Sequence, residues 1–429
     1  MISGRPLRLI KWFYPGLGIK RWLIVIIIGA LLLVNGLNRS LIAEGLHFHV
    51  NEVLDNIVDD FMPPSYLSWF FSFAGLGLVA LGMRQWFRSI IEASTIGGSA
   101  RIVDSLFEMR LQNGFKIVAI GGGTGLSTLL RGLKKYTTNL TAVVTVSDDG
   151  GSSGRLQKEL GVLPPGDIRN CLVALADDEA LVTDLFKYRF SEGNGLVGHS
   201  FGNLFLAAMT GITGNFDKAV KESSRVLNIK GRVLPSTLGV VQLCATLDDG
   251  TTIEGESNIS ASHGRNERVY FNPPYAAPLG EVIEAIREAD AIVLGPGSLF
   301  TSILPNFLVD RVAAEVEKSS AVKMYICNVM TQPGETDSLT ASEHAEALIK
   351  NAGKKVFDYV IINEEAPSKL LEVYAEEGQV PVMPDAEKIK ALGAVPVSAK
   401  VISETVTVRH DPAKLAGVVI SIIERAIAH

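Results

Sequence analysis

The stretch KIVAIGGGTGLSTLLRGL, residues 116–133, has the pattern of a buried strand, a glycine loop and a helix. Residues 117–120 are apolar and mostly β-branched, as in a parallel strand that is covered on both faces. Leu126, Leu129, Leu130 and Leu133 then recur at helical spacing. Glycines let a backbone approach a ligand closely, and the first N–H groups of a helix are unpaired. The stretch therefore predicts a site for an anion such as phosphate.

This loop matches neither of the common phosphate-binding fingerprints. A dinucleotide motif GxGxxG that starts at Gly121 needs a glycine where Leu126 stands. A Walker A loop needs a Gly-Lys pair, but the first lysine after the loop is Lys134, well inside the helix. A phosphate-bearing ligand is the prediction, and a tight turn without a ligand is the alternative.

Composition bounds the class of protein. With 429 residues, 47% of them hydrophobic and 20% charged, the chain can form one large or two ordinary domains. Its net charge is −6, and the sequence holds no basic, aromatic-rich surface, so nucleic acid is not expected as a partner. The cysteines contain no CxxC pair and give no zinc motif.

Two uncharged apolar runs, residues 22–34 and 66–83, lie near the N-terminus. Basic residues precede the first run and follow the second, whereas the segment between them is acidic. By the positive-inside rule, residues 1–88 are expected to form a two-helix transmembrane hairpin, with both termini and the globular domain in the cytoplasm at the inner membrane. A cleaved signal peptide is the alternative for the first run. Residues 89–115 are expected to form a linker with a short amphipathic helix at 101–111.

A second polar loop, SDDGGSSGR at residues 147–155, follows the apolar strand 141–146. Asp148 and Asp149 could hold Mg²⁺ beside a diphosphate, because carboxylates and phosphate oxygens are ligands that Mg²⁺ prefers. Ser152 and Ser153 could bind the phosphate oxygens. An Asp-Gly surface turn without a ligand is the alternative.

More candidate ligand contacts follow predicted strands or open predicted helices. Arg169 lies in the first turn of a helix after LPPGD, where Asp167 is expected to be a helix cap. His199 is either a base or a structural histidine, and Asn203 nearby is a candidate ligand contact. The other candidates come from a second glycine-rich turn, GPGSLFTS at 295–302, and from the end of strand 323–327: Gly297, Ser298, Thr301 and Asn328.

The order of the predicted elements indicates the fold class. Strand, helix and strand over residues 117–146 form a βαβ unit, which predicts an α/β protein with a mainly parallel sheet. Strand-like segments between residues 233 and 271, with a turn at 248–250, predict an inserted antiparallel hairpin region. We therefore expect a Rossmann-like three-layer domain over residues 116–429, with the ligand at the carboxyl edge of its sheet.

Several motifs in this order resemble the YvcK branch, the gluconeogenesis factors, of the YvcK/CofD family. They are GGGTGLSTLLRGL, SDDGGSSGRL, LPPGDIRNCLVALA, HSFGNLFL, LGPGSLFTSILPN and CNVMTQPGETD, and the resemblance runs from about Lys116 to the C-terminus. It implies a Rossmann-like domain that binds UDP-sugars, notably UDP-N-acetylglucosamine. It also implies a role in cell shape and envelope synthesis during growth on gluconeogenic carbon sources. The site residues that it implies are Gly122, Gly123, Thr124, Asp148, Asp149, Asn203, Gly297, Ser298 and Asn328.

Three functions are consistent with these motifs. The first is a membrane-tethered UDP-sugar-binding regulator that needs no cofactor beyond Mg²⁺ accompanying the diphosphate. The second is the chemistry of the CofD branch, a magnesium-dependent transferase that moves a phospholactyl group from a nucleotide donor to a deazaflavin precursor. The third, a dehydrogenase, is disfavoured by the failed GxGxxG. No clear nucleophile or acid/base pair is evident, so the regulator ranks first. The expected partners are the UDP-sugar, the membrane, envelope-synthesis proteins and a second copy of the chain.

Overall fold

The computed structural model describes residues 19–43, 64–94 and 111–428, apart from 178, 263, 366, 368, 369, 405 and 406. The chain forms two compact units, Met1–Met109 and Arg110–His429. Most of the predicted helix at 101–111 lies outside the described residues.

The first unit contains two long helices, α1 (Ile19–Ala43) and α2 (Pro64–Ser94), which pack antiparallel through small residues. A side chain added at Gly29 would lie 2.9 Å from the Gly75 carbonyl oxygen. The Ser68 hydroxyl donates a hydrogen bond of 2.8 Å to the Gly36 carbonyl. Small residues therefore set the separation of the two helices. Their outward faces are apolar, with Leu31 65% exposed.

The predicted transmembrane hairpin requires a correction. Among the residues that the structure describes, neither α1 nor α2 nor any other helix is apolar over enough length to cross a bilayer. In α1 the uncharged run at 22–34 is shorter than the ~20 apolar residues that a span needs, and Asn35, Asn38 and Arg39 follow it. In α2, serines and glycines interrupt the apolar residues. The predicted inner-membrane localisation with two spanning helices is therefore wrong.

A sheet of seven parallel strands forms the centre of the second unit, in the order β10-β9-β8-β7-β1-β2-β3. Side chains of β1 alternate between two separate apolar cores: Val118 and Ile120 enter one, and Ile117 and Ala119 enter the other. Both faces of the sheet are thus covered, which confirms the predicted Rossmann-like α/β fold. The strands of the unit are β1 (Ile117–Gly121), β2 (Leu140–Val144), β3 (Arg232–Pro235), β4 (Gln242–Leu247), β5 (Thr252–Glu254), β6 (Asn266–Asn272), β7 (Ala291–Leu294), β8 (Val322–Ile326), β9 (Tyr359–Asn363), β10 (Val395–Ala399), β11 (Ile402–Glu404) and β12 (Val408–His410).

Helices cover the two faces of the sheet. Their amphipathic faces supply much of both cores; Leu126, Leu129, Leu130 and Leu133 of α3, for example, are fully buried. The helices of the unit are α3 (Gly123–Leu133), α4 (Gly151–Leu160), α5 (Gly166–Leu175), α6 (Glu179–Lys187), α7 (Phe201–Thr213), α8 (Phe216–Val226), α9 (Glu256–Ser260), α10 (Gly280–Glu288), α11 (Leu304–Leu308), α12 (Val312–Lys318), α13 (Ala341–Ala352), α14 (Leu371–Glu376), α15 (Ala386–Ala391) and α16 (Pro412–Ile427), with a π-helical turn at Leu299–Ile303.

The inserted antiparallel region is also present. β4 pairs with β5 on one side and with β6 on the other, and both pairings are antiparallel. Gly250 has φ +83° in the turn between β4 and β5, a backbone conformation that favours glycine. A smaller hairpin, β11 with β12, lies near the C-terminus and pairs Ile402 with His410. The side chains of Val329, Met330, Ile402 and Val408 form a separate apolar cluster beneath this hairpin.

Candidate functional site

The strand order creates a crevice beside β1. The chain leaves β1 towards β2 and β3 on one side and later returns to β7 on the other side. The loop after β1 therefore leads to one side of the sheet, and the loop after the adjacent strand β7 leads to the other side. Ligands of open α/β sheets bind at such a switch point.

The two glycine loops at this point pack backbone against backbone. A side chain at Gly125 would collide with the Pro296 carbonyl and would lie 2.9 Å from the Cα of Gly297. The Cβ that Gly121 lacks would lie 3.7 Å from the Cα of Gly295. The distance at Gly121 is an ordinary van der Waals contact, whereas a side chain at Gly125 would separate the loops, so glycine is required at position 125 for their close approach.

The first turn of α3 faces the crevice, and its N-cap residue provides no side-chain cap. Its N-cap residue is Gly122, which has no side chain to accept a hydrogen bond from the turn. Gly123 has φ +62°, in the left-handed region that favours glycine. Backbone N–H groups at a helix N-terminus carry partial positive charge, so this turn attracts an anion.

A cavity of about 350 Å³ opens above both loops. Its lining brings together much of the site predicted from the sequence, because the loops after β1, β7 and β8 end at the same edge of the sheet. The predicted residues in this lining are Gly122, Gly123, Thr124, Gly125, Gly297, Ser298 and Asn328.

Other residues of the lining were not predicted. Tyr374 and Gln379 come from the segment around α14, and Arg409 and His410 come from β12. Among the residues that the structure describes, Arg409 is the one arginine or lysine of the lining. These residues are far from the glycine loops in sequence and carry no local motif, so only the chain path reveals them. Gln332 and Ser302 could have been found, since Gln332 lies in the motif CNVMTQPGETD at 327–337 and Ser302 lies in the glycine-rich turn at 295–302.

Hydrogen bonds join two of the loops that line the cavity. The side-chain amide of Asn328 donates to Gln332 Oε1 at 3.3 Å, and the side-chain amide of Gln332 donates to the Ser298 hydroxyl at 2.9 Å. The loops after β7 and β8 are thereby held together. These hydrogen bonds fix the shape of this wall of the cavity.

Asp167 occupies a different position from the one predicted. Its side chain does not cap α5, whose N-cap residue is Pro165; instead it lies against Gly122 and accepts a hydrogen bond from the Gly123 N–H. Burial, reinforced by the neighbouring Asp148 carboxylate, raises the pKa of Asp167 to about 7. Asp167 thus connects the glycine loop to the Asp148 loop, and the helix-cap prediction is wrong.

The two adjacent aspartates differ in their contacts. Asp148 Oδ1 accepts a hydrogen bond of 2.9 Å from the Gly150 N–H, and Asp148 Oδ2 lies close to Gly166. Asp149 Oδ1 accepts hydrogen bonds from the N–H and the hydroxyl of Ser257, at 2.9 and 2.8 Å. Asp149 therefore holds the start of α9, whereas Asp148 faces Asp167.

Arg169 and Asn203 belong to a polar network beside these acids. Arg169 donates to Ser200 at 2.6 Å and to Asn203 at 2.9 Å, and Asn203 lies 3.5 Å from the Ser153 hydroxyl. Burial and the nearby Arg189 lower the pKa of Arg169, while the acids oppose this shift. The Arg169 Nε atom is buried without a partner. Arg169, Asn203 and Ser153 lie beside the cavity rather than in its lining.

Ser152 is paired with His199. The Ser152 hydroxyl lies 2.8 Å from His199 Nδ1, and both residues are buried. Burial is the main reason why the pKa of His199 is lowered, so the ring is neutral near pH 7. Neither residue lines the cavity.

Thr301 faces away from the cavity. It is buried, and its hydroxyl donates to Glu335 Oε1 at 3.1 Å; Ser260 donates to the same oxygen at 2.8 Å. The π-helical turn places Ser302 rather than Thr301 in the lining. Burial raises the pKa of Glu335, and burial with the surrounding acids raises that of Glu256 further. An acidic region therefore lies behind the loops.

Among residues 19–43, 64–94 and the described part of 111–428, no group of three or more His, Cys, Asp and Glu side chains has the arrangement of a metal site. A divalent cation here would have to share its ligands with a bound molecule. Mg²⁺ commonly binds in this way, through one or two carboxylates, waters and phosphate oxygens.

The second unit matches a known family over most of its length. The family model described as "2-phospho-L-lactate transferase CofD" matches residues 117–402, a range that includes both glycine loops and the acidic region. The chain belongs to the YvcK/CofD family. Within this family its similarity is to the gluconeogenesis factors: the "Gluconeogenesis factor" of Bacillus subtilis is 50% identical over 311 residues, which are 72% of this chain and 98% of that protein.

Other members of the YvcK/CofD family extend the comparison. A relative from Nostoc sp. is 47% identical over 97% of this chain and 93% of its own length. The crystal structure of a Bacillus halodurans protein has a TM-score of 0.70 and 48% identity, covering 72% of this chain and 100% of that one. The alignment with the Nostoc relative thus extends well beyond the part of the chain shared with the Bacillus proteins.

Proposed function

We propose that this chain acts as a gluconeogenesis factor, a regulator that binds a UDP-sugar of the UDP-N-acetylglucosamine type in the cavity above the two glycine loops. The observation that carries the proposal is the pairing of bare backbone loops at the switch point with Arg409 across the same cavity. Backbone N–H groups and a guanidinium are donors suited to a diphosphate.

The rest of the lining suits the uncharged parts of a nucleotide-sugar. Asn328, Gln332 and Gln379 offer amide groups to hydroxyls and base edges, and Tyr374 offers an aromatic ring. A volume of about 350 Å³ is within the range of small-molecule sites. The ligand would therefore lie with its diphosphate on the glycine loops and its sugar or base towards β12.

Mg²⁺ is proposed to accompany the diphosphate, with Asp148 and Asp167 as its protein ligands. Asp148 was predicted for this role; Asp167 fits it better than Asp149, because Asp149 already accepts two hydrogen bonds from Ser257. Burial is the main cause of the raised pKa of Asp167 and the nearby Asp148 carboxylate adds to it; a divalent cation would stabilise two carboxylates so close together. When bound, the ion would neutralise phosphate charge.

A regulator is favoured over an enzyme by the chemistry of the lining. Among the residues that the structure describes, the lining offers amides, hydroxyls, backbone groups, the Arg409 guanidinium and the His410 ring but no carboxylate, and the pair of Ser152 with His199 lies outside it. The family model is nevertheless named for a transferase, so a magnesium-dependent phospholactyl transfer is the second candidate. An envelope-synthesis protein that reads the ligand-bound state is the proposed partner, and a second copy of the chain is the alternative.

Isothermal titration with UDP-N-acetylglucosamine, UDP-glucose, UDP, GDP and NAD, with and without Mg²⁺, tests the proposal. UDP-sugars are expected to bind. A UDP-sugar at a hundred times its Kd should also raise the free energy of unfolding by about 2.7 kcal/mol, which a thermal shift would detect. Arg409→Gln should weaken binding about tenfold or more, since a charge-assisted contact is lost. Arg225→Gln is the matched control, because Arg225 pairs with Glu222 on the surface of α8.

Absence of UDP-sugar binding to the wild-type protein would overturn the proposal. Transfer of a phospholactyl group to a deazaflavin acceptor, measured by mass spectrometry, would replace it with the enzymatic alternative.

A further inference from the structure

A stripe of large apolar side chains runs along the outer face of α6. Leu181, Leu185 and Tyr188 are spaced i, i+4 and i+7, which places them on one side of a helix. The Tyr188 N–H donates to the Asp184 carbonyl at 3.0 Å, so the helical path continues to Tyr188. All three residues are exposed to solvent. An exposed apolar stripe of this kind is typical of a surface that another protein covers.

The inner face of α6 holds the helix in place. Phe186 is buried, and its ring centroid lies 5.8 Å from that of Phe201 and 5.3 Å from that of Phe205, both on α7. A side chain added at Gly202 would lie 2.6 Å from a ring carbon of Phe186. Since this packing fixes the orientation of α6, the stripe cannot turn towards the core.

The apolar surface continues beyond the helix. Tyr188 packs edge-on against Phe190, with ring centroids 5.2 Å apart, and the Phe190 carbonyl accepts a hydrogen bond of 2.8 Å from the Gly198 N–H. Leu196 and Val197, which precede Gly198, are both exposed. The hairpin that follows α6 therefore adds apolar area to that of the stripe.

The charges beside the stripe indicate what covers it. Asp184 and Lys187 are both exposed, and at about 100° per residue they lie on the same flank of the stripe. Neither forms an ion pair within the described part of the chain. When two copies of α6 pack antiparallel, each flank faces the same flank of the other copy. Asp184 of each copy then faces Lys187 of the other.

The apolar residues fit the same arrangement. Two antiparallel copies place the two Leu185 side chains opposite each other at the two-fold axis, and Leu181 of each copy near Tyr188 of the other. The stripe and its charged flank are thus complementary to themselves, as a two-fold interface requires. The antiparallel direction also places the two helix dipoles head to tail.

We infer that two copies of this chain form a two-fold symmetric dimer in which the α6 helices pack antiparallel through Leu181, Leu185 and Tyr188. The dimer goes beyond the proposed function, because α6 contributes no residue to the lining of the cavity.

Sedimentation velocity of the full-length protein tests this surface. We expect wild type to be a dimer, and we expect Leu185→Arg to weaken the dimer about tenfold or more, because two guanidinium groups would meet at the two-fold axis. Ile427→Arg is the matched control and should leave the dimer unchanged. Ile427 lies on α16 and is 53% exposed, against 47% for Leu185.

A charge swap tests the antiparallel direction. Asp184→Lys and Lys187→Glu each create like-charge contacts across the interface, so each should weaken the dimer several-fold. The double substitution restores opposite charges and should recover the association of wild type. Failure of the double substitution to recover association would contradict the antiparallel pairing.

Disulfide formation supplies a second readout, which decides if Leu185→Arg fails to fold by circular dichroism. Cys171, Cys244 and Cys327 are buried, so Leu185→Cys adds an accessible thiol to a chain whose own thiols are not accessible. Under mild oxidation, Leu185→Cys should form a covalent dimer and Ile427→Cys should not.

Three results would overturn the inference. They are a wild-type protein that stays monomeric up to about 0.1 mM, a dimer that Leu185→Arg leaves unchanged, and a Leu185→Cys variant that forms no covalent dimer. Each result is independent of UDP-sugar titration, so the dimer and the proposed function are tested separately.

Discussion

At the scale of single residues, the site depends on groups held in unfavourable states. Asp167 is the clearest case, because its carboxyl group lies against Gly122 and next to Asp148. The contact with the Gly123 N–H is insufficient to offset burial, so its pKa rises to about 7. A group with a raised folded-state pKa stabilises the native protein at low pH and loses that contribution as pH rises through the folded value.

Asp167→Asn should therefore stabilise the protein at high pH. Asparagine keeps a carbonyl oxygen for the Gly123 N–H and carries no charge. We expect a gain on the order of 4 kcal/mol at pH 8 that shrinks as pH falls and vanishes below about pH 4. Urea unfolding across this pH range, in EDTA, measures it. A difference between variant and wild type that does not change with pH would contradict the raised pKa.

A side chain at Gly125 is expected to disrupt the packing between the two glycine loops. Gly125→Ala places a methyl group against the Pro296 carbonyl, and backbone on both sides must shift. We expect a loss of about 1–3 kcal/mol in stability and a marked loss of UDP-sugar affinity. Chemical unfolding and calorimetry measure both quantities.

Gly211→Ala is the control for Gly125→Ala. Gly211 lies within α7 and has nothing within 4 Å of the added carbon, so alanine there should be neutral or stabilising. Equal effects of the two substitutions would show that the loop contact does not matter.

At the scale of elements, the cavity is closed by parts of the chain that are distant in sequence. β12 and α14 reach it over a small apolar cluster that is separate from the two large cores. Tyr374 packs on this cluster, and its hydroxyl accepts a hydrogen bond of 3.0 Å from the Val408 N–H. Since Val408 precedes Arg409 and His410, this contact positions the part of β12 that lines the cavity.

Tyr374→Phe should loosen β12 while leaving the two main cores intact. Loss of one hydrogen bond costs about 1 kcal/mol, and the Val408 N–H loses its partner. We expect faster amide exchange at Val408 and a few-fold weaker ligand binding, with little change at β1. Hydrogen exchange measured by NMR checks this; unchanged protection at Val408 would mean that the hydroxyl does not hold the strand.

At the scale of the whole molecule, the two large apolar cores and the predicted site all lie in the second of the two units. The Bacillus subtilis relative aligns over 311 residues that make up 98% of its length. A member of the same family therefore consists almost entirely of a region that matches 72% of this chain.

A truncated protein, residues 110–429, should fold and bind its ligand as the full chain does. Its sheet, helices and cavity are all contained in the unit Arg110–His429. We expect a cooperative thermal transition and an unchanged Kd for UDP-N-acetylglucosamine, measured beside the full-length protein. A tenfold weaker affinity of the truncated protein would show that the first unit contributes to the site.

The sequence by itself determined the local elements and the edge at which the site lies. Apolar β-branched runs followed by glycine turns identify parallel strands and helix N-termini, because backbone geometry and burial act over a few residues. The glycine loops, Ser298 and Asn328 were accessible to such reasoning, and all of them line one cavity.

Tertiary structure alone decided which distant residues meet. Asp167 and Thr301 each lie where a local motif suggested another role, since their partners, the Gly123 N–H and Glu335, come from other parts of the chain. Arg409 and His410 have no motif at all. The physical reason is that hydrogen bonding, burial and pKa depend on the atoms that the fold brings within a few ångströms, and local sequence does not specify them.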